Sequence, residues 1–106
     1  MSYLGDPDIP MRIFTIGASS AVVSSVSSSI SPVTIVAGNP SRVALAIQND
    51  STSRLYLKYG LNASTTDYTA RFEPGDYYEL PQPAYTGIIT GVWEAQDGSA
   101  KVTEMF

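Results

Sequence analysis

The stretch RVALAIQNDSTSRLYLKY, residues 42–59, alternates apolar and polar side chains on both sides of a polar turn. In residues 42–49 the alternation places Val43, Leu45 and Ile47 on the same face. Successive side chains of a β-strand point to opposite faces, so this period of two predicts a strand with one buried face. Residues 54–59 repeat the pattern after the turn. The stretch therefore predicts two strands that pair as a hairpin with a long loop.

Short strand patterns of the same kind continue along the chain. They cover residues 33–37, 67–72, 77–80, 87–94 and 100–105. Between them, the sequence Glu73-Pro74-Gly75-Asp76 has the chemistry of a type II turn, and Asp97-Gly98 predicts a hairpin of the strands on either side. About seven or eight short strands without a periodic helix predict an all-β fold. We expect an antiparallel β-sandwich, either jelly-roll or immunoglobulin-like.

The first 30 residues have a different composition, rich in serine and poor in strand patterns. Residues 11–16 predict a strand. The serine-rich segment after it permits a helix, with Val22, Val26 and Ile30 on one face, or an extended segment that orders against a neighbour. We favour the extended form, because serine and valine are mediocre helix formers. The chain is thus predicted to have an N-terminal arm, residues 1–30, extended or partly ordered, and a β-sandwich domain, residues 31–106.

Composition argues against several classes of function. The chain has 6 Lys+Arg and 10 Asp+Glu, a net charge of -4, and its basic residues are scattered, so we expect no nucleic-acid partner. It contains no cysteine and no histidine, which excludes disulfides, thiolate nucleophiles and zinc held by these residues. Lys58 and Lys101 lie in strand patterns that face solvent. We therefore predict no enzyme, no catalytic residue, no cofactor and no metal site.

The start of the sequence, MSYLGDPDIP, has acidic residues where a secretory signal has basic ones. No apolar run approaches the roughly 18 residues of a membrane span. From the sequence we therefore expect a soluble protein that is made in the cytoplasm and has no membrane partner.

Aromatic side chains suggest either a core or a docking surface. Trp93 is predicted to fill the core. Tyr77 and Tyr78 are adjacent, so one is predicted to be buried and the other exposed. Tyr85, between Pro83 and Gly87, is expected to be an exposed contact. The full set of residues predicted to contact another protein combines apolar residues of the arm with two tyrosines: Met11, Ile13, Phe14, Val22, Val26, Tyr78 and Tyr85.

Four ordered segments carry a family resemblance. They are IQNDSTSRLYLKYG (47–60), YTARFEPGDYYELP (68–81), YTGIITGVW (85–93) and DGSAKVTE (97–104). In this order they resemble a small module encoded among the virion genes of tailed bacteriophages. The resemblance runs from about residue 33 to residue 104, two thirds of the chain, and leaves the N-terminal arm out.

The resemblance implies a β-sandwich and a structural role in the virion, with no catalytic residues. The implied roles are a capsid decoration (cement) protein, a head-fibre base or a tail accessory protein. The first predicts a protein on the capsid surface, bound to the major capsid protein or another virion protein. A homotrimer is expected from that role alone, because no residue of the chain indicates one. The alternative function is a carbohydrate-binding or host-recognition module of a fibre or tail, using Tyr77 or Tyr78, Tyr85 and Trp93 as a stacking surface.

Overall fold

A computed structural model describes residues 2–3, 5–6 and 17–106. The strands are β1 (Ser2–Tyr3), β2 (Gly5–Asp6), β3 (Ala21–Ser27), β4 (Val33–Val36), β5 (Ala44–Asp50), β6 (Leu55–Tyr59), β7 (Ala70–Phe72), β8 (Tyr77–Glu79), β9 (Ile89–Trp93) and β10 (Ser99–Met105). None of the described residues is helical. The described part of the chain therefore contains no helix that could cross a membrane. The predicted all-β class is confirmed.

Strands β3 to β10 form two antiparallel sheets of four strands each. The first sheet has the order β3-β10-β5-β8, and the second has the order β4-β9-β6-β7. Strands β1 and β2 pair only with each other among the described strands. The two four-stranded sheets enclose one apolar core, as expected for a β-sandwich.

The pairing is nested, which identifies the topology. The first four strands of the sandwich pair in reverse order with the last four: β3 with β10, β4 with β9, β5 with β8, and β6 with β7. This is a long antiparallel hairpin that is rolled so that successive strand pairs alternate between the two sheets. Such a roll of Greek keys is a jelly roll. Of the two predicted topologies, the chain therefore adopts the jelly roll.

Rolling the chain in this way separates strands that are neighbours in sequence. The predicted hairpin of residues 42–49 with 54–59 is wrong, because β5 belongs to the first sheet and β6 to the second. The hairpin predicted at Asp97-Gly98 is wrong for the same reason, since β9 and β10 lie in different sheets. Only β6 and β7, consecutive in the sandwich, also pair with each other. The predicted turns do lie between these strands, but each turn connects a strand of one sheet to a strand of the other sheet.

The turn of residues 73–76 has the predicted type II geometry. Gly75 has a φ of 85°, a value that glycine adopts without a steric penalty. The amide of Asp76 donates to the carbonyl of Glu73 at 3.0 Å, which closes the turn. This turn carries the chain from β7 in the second sheet to β8 in the first.

The core consists of apolar side chains from the inner faces of both sheets. Its buried members are Ile35, Leu45, Ile47, Leu55, Leu57, Phe72, Leu80, Ile89, Trp93, Ala100 and Val102. The predicted inward positions of Leu45, Ile47 and the two leucines of residues 54–59 are confirmed, whereas Val43 lies before β5 and is only partly buried. The predicted burial of Trp93, which is 1% exposed, is also confirmed. A smaller cluster, Tyr56, Ala63 and Val92, lies apart from this core.

Four polar residues of the described chain are buried: Ser28, Arg42, Asn49 and Thr90. Two of them, Arg42 and Asn49, hold the surrounding loops through several side-chain hydrogen bonds. Arg42 is 3% exposed, donates to Glu104 at 2.8 Å, and also donates to backbone carbonyls of the loops around it. Asn49 is fully buried and donates to the carbonyls of Ser53 and Glu73. Buried polar groups are stable only when they are hydrogen-bonded in this way. Both residues fix loops that join the strands.

The serine-rich segment forms a strand. Ala21–Ser27 is β3, which pairs with β10 over seven residue pairs. The extended alternative is therefore confirmed over the helix. The division at residue 31 stays a prediction, but this strand, from the predicted arm, is an edge of the first sheet. The predicted strand of residues 11–16 lies outside the described residues.

Candidate protein-docking surface

The outer edge of β3 is the most accessible strand edge in the described part of the chain. Among residues 17–106, β3 pairs with β10 on one side and with no strand on the other. Its sequence, AVVSSVS, contains no charged residue, no proline and no glycine. Soluble proteins usually protect a strand edge from further pairing with charged residues or proline, and β3 has neither. We call this side of Ala21–Ser27 the docking edge.

The hydrogen-bond pattern shows which peptide groups the docking edge offers. Ser20 and Phe106 exchange both backbone hydrogen bonds, and the amide of Ser28 donates to Gly98. In an antiparallel pair, the hydrogen-bonded residues alternate along the strand. The backbone N–H and C=O groups of the even-numbered residues of β3 therefore point toward β10. The N–H and C=O groups that point outward belong to Ala21, Val23, Ser25 and Ser27.

The inner side of β3 is only partly covered. Val22, Ser24 and Val26 lie opposite Glu104, Val102 and Ala100 of β10, and so share the face that points toward the core. Val26 packs against the core, whereas Val22 is 51% exposed and Ser24 is also exposed. The strand thus extends beyond the cover that the second sheet provides, and it leaves an apolar side chain in solvent.

The outer face of the first sheet continues from the docking edge. Val23, Thr103 and Ala46 lie side by side on β3, β10 and β5, and the next row consists of Ala21, Met105 and Ala44. We call these six residues the uncharged face. Val23 is 70% exposed. Small uncharged residues on an outer face are unusual, because the solvent side of an antiparallel sheet is normally polar.

A shallow groove borders the uncharged face on the side of β8. Its floor includes Ala44 and Ala46, and its wall includes Tyr77, Glu79 and Gln82. Tyr77 is 62% exposed, and its hydroxyl donates to Glu79 at 3.3 Å. Partial desolvation, with a smaller contribution from the Glu79 carboxylate, raises the pKa of the Tyr77 hydroxyl. The groove is bordered by one aromatic ring and one carboxylate.

Three tyrosines close one end of the core instead of forming an exposed platform. The hydroxyls of Tyr59 and Tyr78 are hydrogen-bonded, which joins the two sheets. The Tyr85 ring stacks on Tyr59 with 4.9 Å between centroids. Tyr85 is half-buried, so its predicted exposure is wrong, because the stack holds it against the sandwich. The prediction for the adjacent pair is confirmed, since Tyr78 packs on the core and Tyr77 is exposed.

The residues predicted to contact a partner fall into three groups. Met11, Ile13 and Phe14 lie outside the described residues. Val22 and Val26 lie on the inner side of β3, and Tyr78 and Tyr85 belong to the tyrosine cluster. The structure thus brings together the two valines but separates them from the tyrosines. Contact of these residues with a partner stays a prediction.

The uncharged face, in which Val23 is 70% exposed and Ala46 8%, was not predicted from the sequence. Val23 has the opposite orientation to Val22, and its neighbours Thr103 and Ala46 come from distant segments. The alternation in residues 42–49 did place Ala44 and Ala46 on the outer face. That signal becomes informative only when the strand order is known.

Several acidic residues of the described chain have structural partners. Asp76 accepts from the amide of Glu73, and Glu94 accepts from Tyr56 at 2.5 Å. Asp97 accepts from Thr52 at 2.6 Å, which lowers the pKa of its carboxyl group, and Ser53 adds to the effect. In the described part of the chain, no three acidic residues form a group that could hold a metal ion.

Comparisons with protein-family models, with curated proteins and with solved structures found no match.

Proposed function

We propose that the chain is a non-enzymatic structural protein of a tailed-bacteriophage virion, a capsid decoration protein that binds and stabilises the assembled shell. The observation that carries the proposal is the uncharged face beside the docking edge. Unpaired strand edges and uncharged flat faces bind other polypeptides rather than small molecules. The resemblance of residues 33–104 to a phage virion module supports the same role. A jelly roll is also used in viral shells, a supporting analogy.

The proposed mechanism is mechanical. A sandwich bound to the outside of the shell contacts neighbouring subunits of the major capsid protein or another virion protein. Each copy adds interface area, and the symmetry of the shell repeats that contribution many times. The shell then resists the internal pressure of the packaged DNA. The trimer suggested by this role has no support from a particular residue.

The geometry does not favour the alternative of a carbohydrate-binding module. Its stacking surface needs Trp93 together with Tyr85 and one of the adjacent tyrosines. Trp93 is in the core, and the Tyr85 ring is occupied by its stack with Tyr59. Tyr77 remains as a single exposed ring, and one ring offers little stacking area.

Co-sedimentation with phage heads tests the proposal. Purified protein is mixed with expanded, DNA-filled heads, and the bound fraction is measured against protein concentration. Val23→Glu places a charge on the uncharged face and should weaken binding at least about tenfold, the effect of about 1.4 kcal/mol. Ser25→Glu is the matched control, because it adds the same charge to the same side of β3 beside Lys101.

Equal binding by both variants would remove the uncharged face from the interface. If the unmodified protein binds neither heads nor tails, the proposed function is wrong. If it binds a glycan array and no virion part, the alternative function replaces it.

Truncation tests the predicted arm separately. Removing residues 1–16 leaves β3 to β10 complete, whereas removing the whole predicted arm would also delete β3. We expect the shorter truncation to fold and to lose head binding. Normal decoration by this variant would exclude a role for residues 1–16 and leave the uncharged face as the contact.

A further inference from the structure

We infer that the docking edge binds a second copy of this chain, so that two β3 strands pair antiparallel about a two-fold axis at Ser24. The first argument is length. The docking edge is seven residues long, while β4, β7 and β8, the other edge strands of the described sandwich, have three or four residues. Among these edges, only β3 itself can match the full length of β3.

The register follows from the peptide groups that point outward. Pairing Ala21 with Ser27 of the second copy, and Val23 with Ser25 of the second copy, matches each outward N–H with an outward C=O. The two Ser24 residues then face each other at a non-hydrogen-bonded position. All outward groups of both strands are used. An interface of this kind is isologous, the commonest symmetry of soluble dimers.

Side chains fit the same register. On the inner side, Val22 lies opposite Val26 of the second copy, so the half-exposed valine gains an apolar neighbour. On the outer side, Val23 lies opposite Ser25 of the second copy. No like charges meet along the seam, although each chain carries a net charge of -4. The uncharged strand is therefore a place where two acidic copies can approach without direct repulsion.

The dimer deepens the proposed function but does not depend on it. Joining two β3 edges makes one eight-stranded sheet from two four-stranded ones. The uncharged faces of the two copies then adjoin each other on one side of that sheet. A shell-binding dimer would thus present twice the docking area, in place of the trimer that the role alone suggests.

A cysteine placed at the axis tests this inference, because the chain has no cysteine of its own. At a non-hydrogen-bonded position the Cα atoms of paired residues are about 4.5 Å apart, a distance that a disulfide spans. Ser24→Cys should therefore form a disulfide-linked dimer under mild oxidation. Ser25→Cys is the matched control, since its counterpart lies on the diagonal, about 7–8 Å away or more. We expect at least tenfold less crosslinking from the control.

The mass of the unmodified protein gives an independent result. Sedimentation equilibrium should give twice 11.3 kDa at micromolar concentrations. A protein that stays monomeric, with no crosslinking of Ser24→Cys, would overturn the inference. Preferred crosslinking of Ser25→Cys would overturn the register at Ser24. Head binding by a monomer would contradict only the dimer, whereas a dimer that binds no virion part would contradict only the proposed function.

Discussion

The indole Nε1 of Trp93 donates a hydrogen bond to Oδ1 of Asn49 at 3.2 Å, and neither side chain is accessible to solvent. Asn49 lies on β5 in the first sheet and Trp93 on β9 in the second, so the bond joins the sheets inside the core. The same amide donates to the carbonyls that surround it. One side chain therefore satisfies polar groups from several segments.

Asn49→Ala should lower the free energy of unfolding by about 2–4 kcal/mol, since it leaves the buried indole N–H of Trp93 without a partner and removes the amide that donates to the surrounding carbonyls. Gln48→Ala, at the exposed neighbouring position of β5, should change it by less than about 0.5 kcal/mol. Urea unfolding followed by Trp93 fluorescence measures both. A loss below 1 kcal/mol for Asn49→Ala would show that water replaces the amide.

Arg42→Met should cost about 3–5 kcal/mol, because it leaves the Glu104 carboxylate without its partner in a largely desolvated place. Replacing both residues, as in Arg42→Met with Glu104→Met, should cost at least 1 kcal/mol less than the single change by the same argument. Arg42→Lys should not restore stability, since one ammonium group cannot reach the carbonyls that the guanidinium fork contacts. Equal losses for the single and double variants would contradict this account.

Gly98→Ala should destabilise the fold by about 1–3 kcal/mol through steric overlap. A Cβ atom at this position would lie 2.6 Å from the carbonyl oxygen of Asp50 and from Cα of Ser51. Both are backbone atoms and cannot rotate away. Gly17→Ala is the control, because a Cβ there has no atom within 4 Å. Thermal unfolding of the two variants compares them, and similar midpoints would disprove the overlap.

Alkaline pH should weaken the sandwich through Tyr59. Burial, together with the hydrogen bond to Tyr78, raises the pKa of the Tyr59 hydroxyl in the folded state. A group with a raised folded pKa contributes stability below its unfolded pKa, about 10 for tyrosine, and loses that contribution as the pH rises above it. Tyr59→Phe should therefore be less stable at pH 8 by about 0.5–1.5 kcal/mol, the value of one hydrogen bond. The deficit should shrink between pH 9 and 11.

Tyr68→Phe serves as the control for the alkaline experiment, because Tyr68 is exposed on the other side of the second sheet, against Tyr56. Its stability relative to the unmodified protein should stay constant over the same range. A constant deficit for Tyr59→Phe across the range would exclude Tyr59 as the source of the alkaline loss.

The strands could be predicted from the sequence because alternation is a local signal. The phase of residues 42–49 places Asn49 on the same face as Leu45 and Ile47, so its burial could also have been inferred. Arg42 lies before the first residue of β5, where the alternation no longer applies. Its buried position could therefore not be inferred from the sequence. The strand partners were wrong because pairing in a jelly roll joins distant segments, which no local pattern records.

The docking edge could not be predicted for a related reason. A strand lies at an edge when no other strand pairs with one of its two sides, and this depends on the fold of the whole chain. The composition of Ala21–Ser27 shows only that nothing in the strand prevents pairing. Its location beside β10 had to come from the structure.

The central place of β10 in the first sheet has a consequence for synthesis on the ribosome. β10 lies between β3 and β5, yet it is the last of the described strands to be translated. Until it emerges, β3 has no neighbour in its sheet and β5 has only the short β8. Closure of the sandwich therefore waits for contacts between residues about 80 positions apart, a slow kind of step in folding. In the nascent chain, the uncharged strand β3 stays unpaired for most of translation and is prone to aggregation. A chaperone is therefore most needed at this stage.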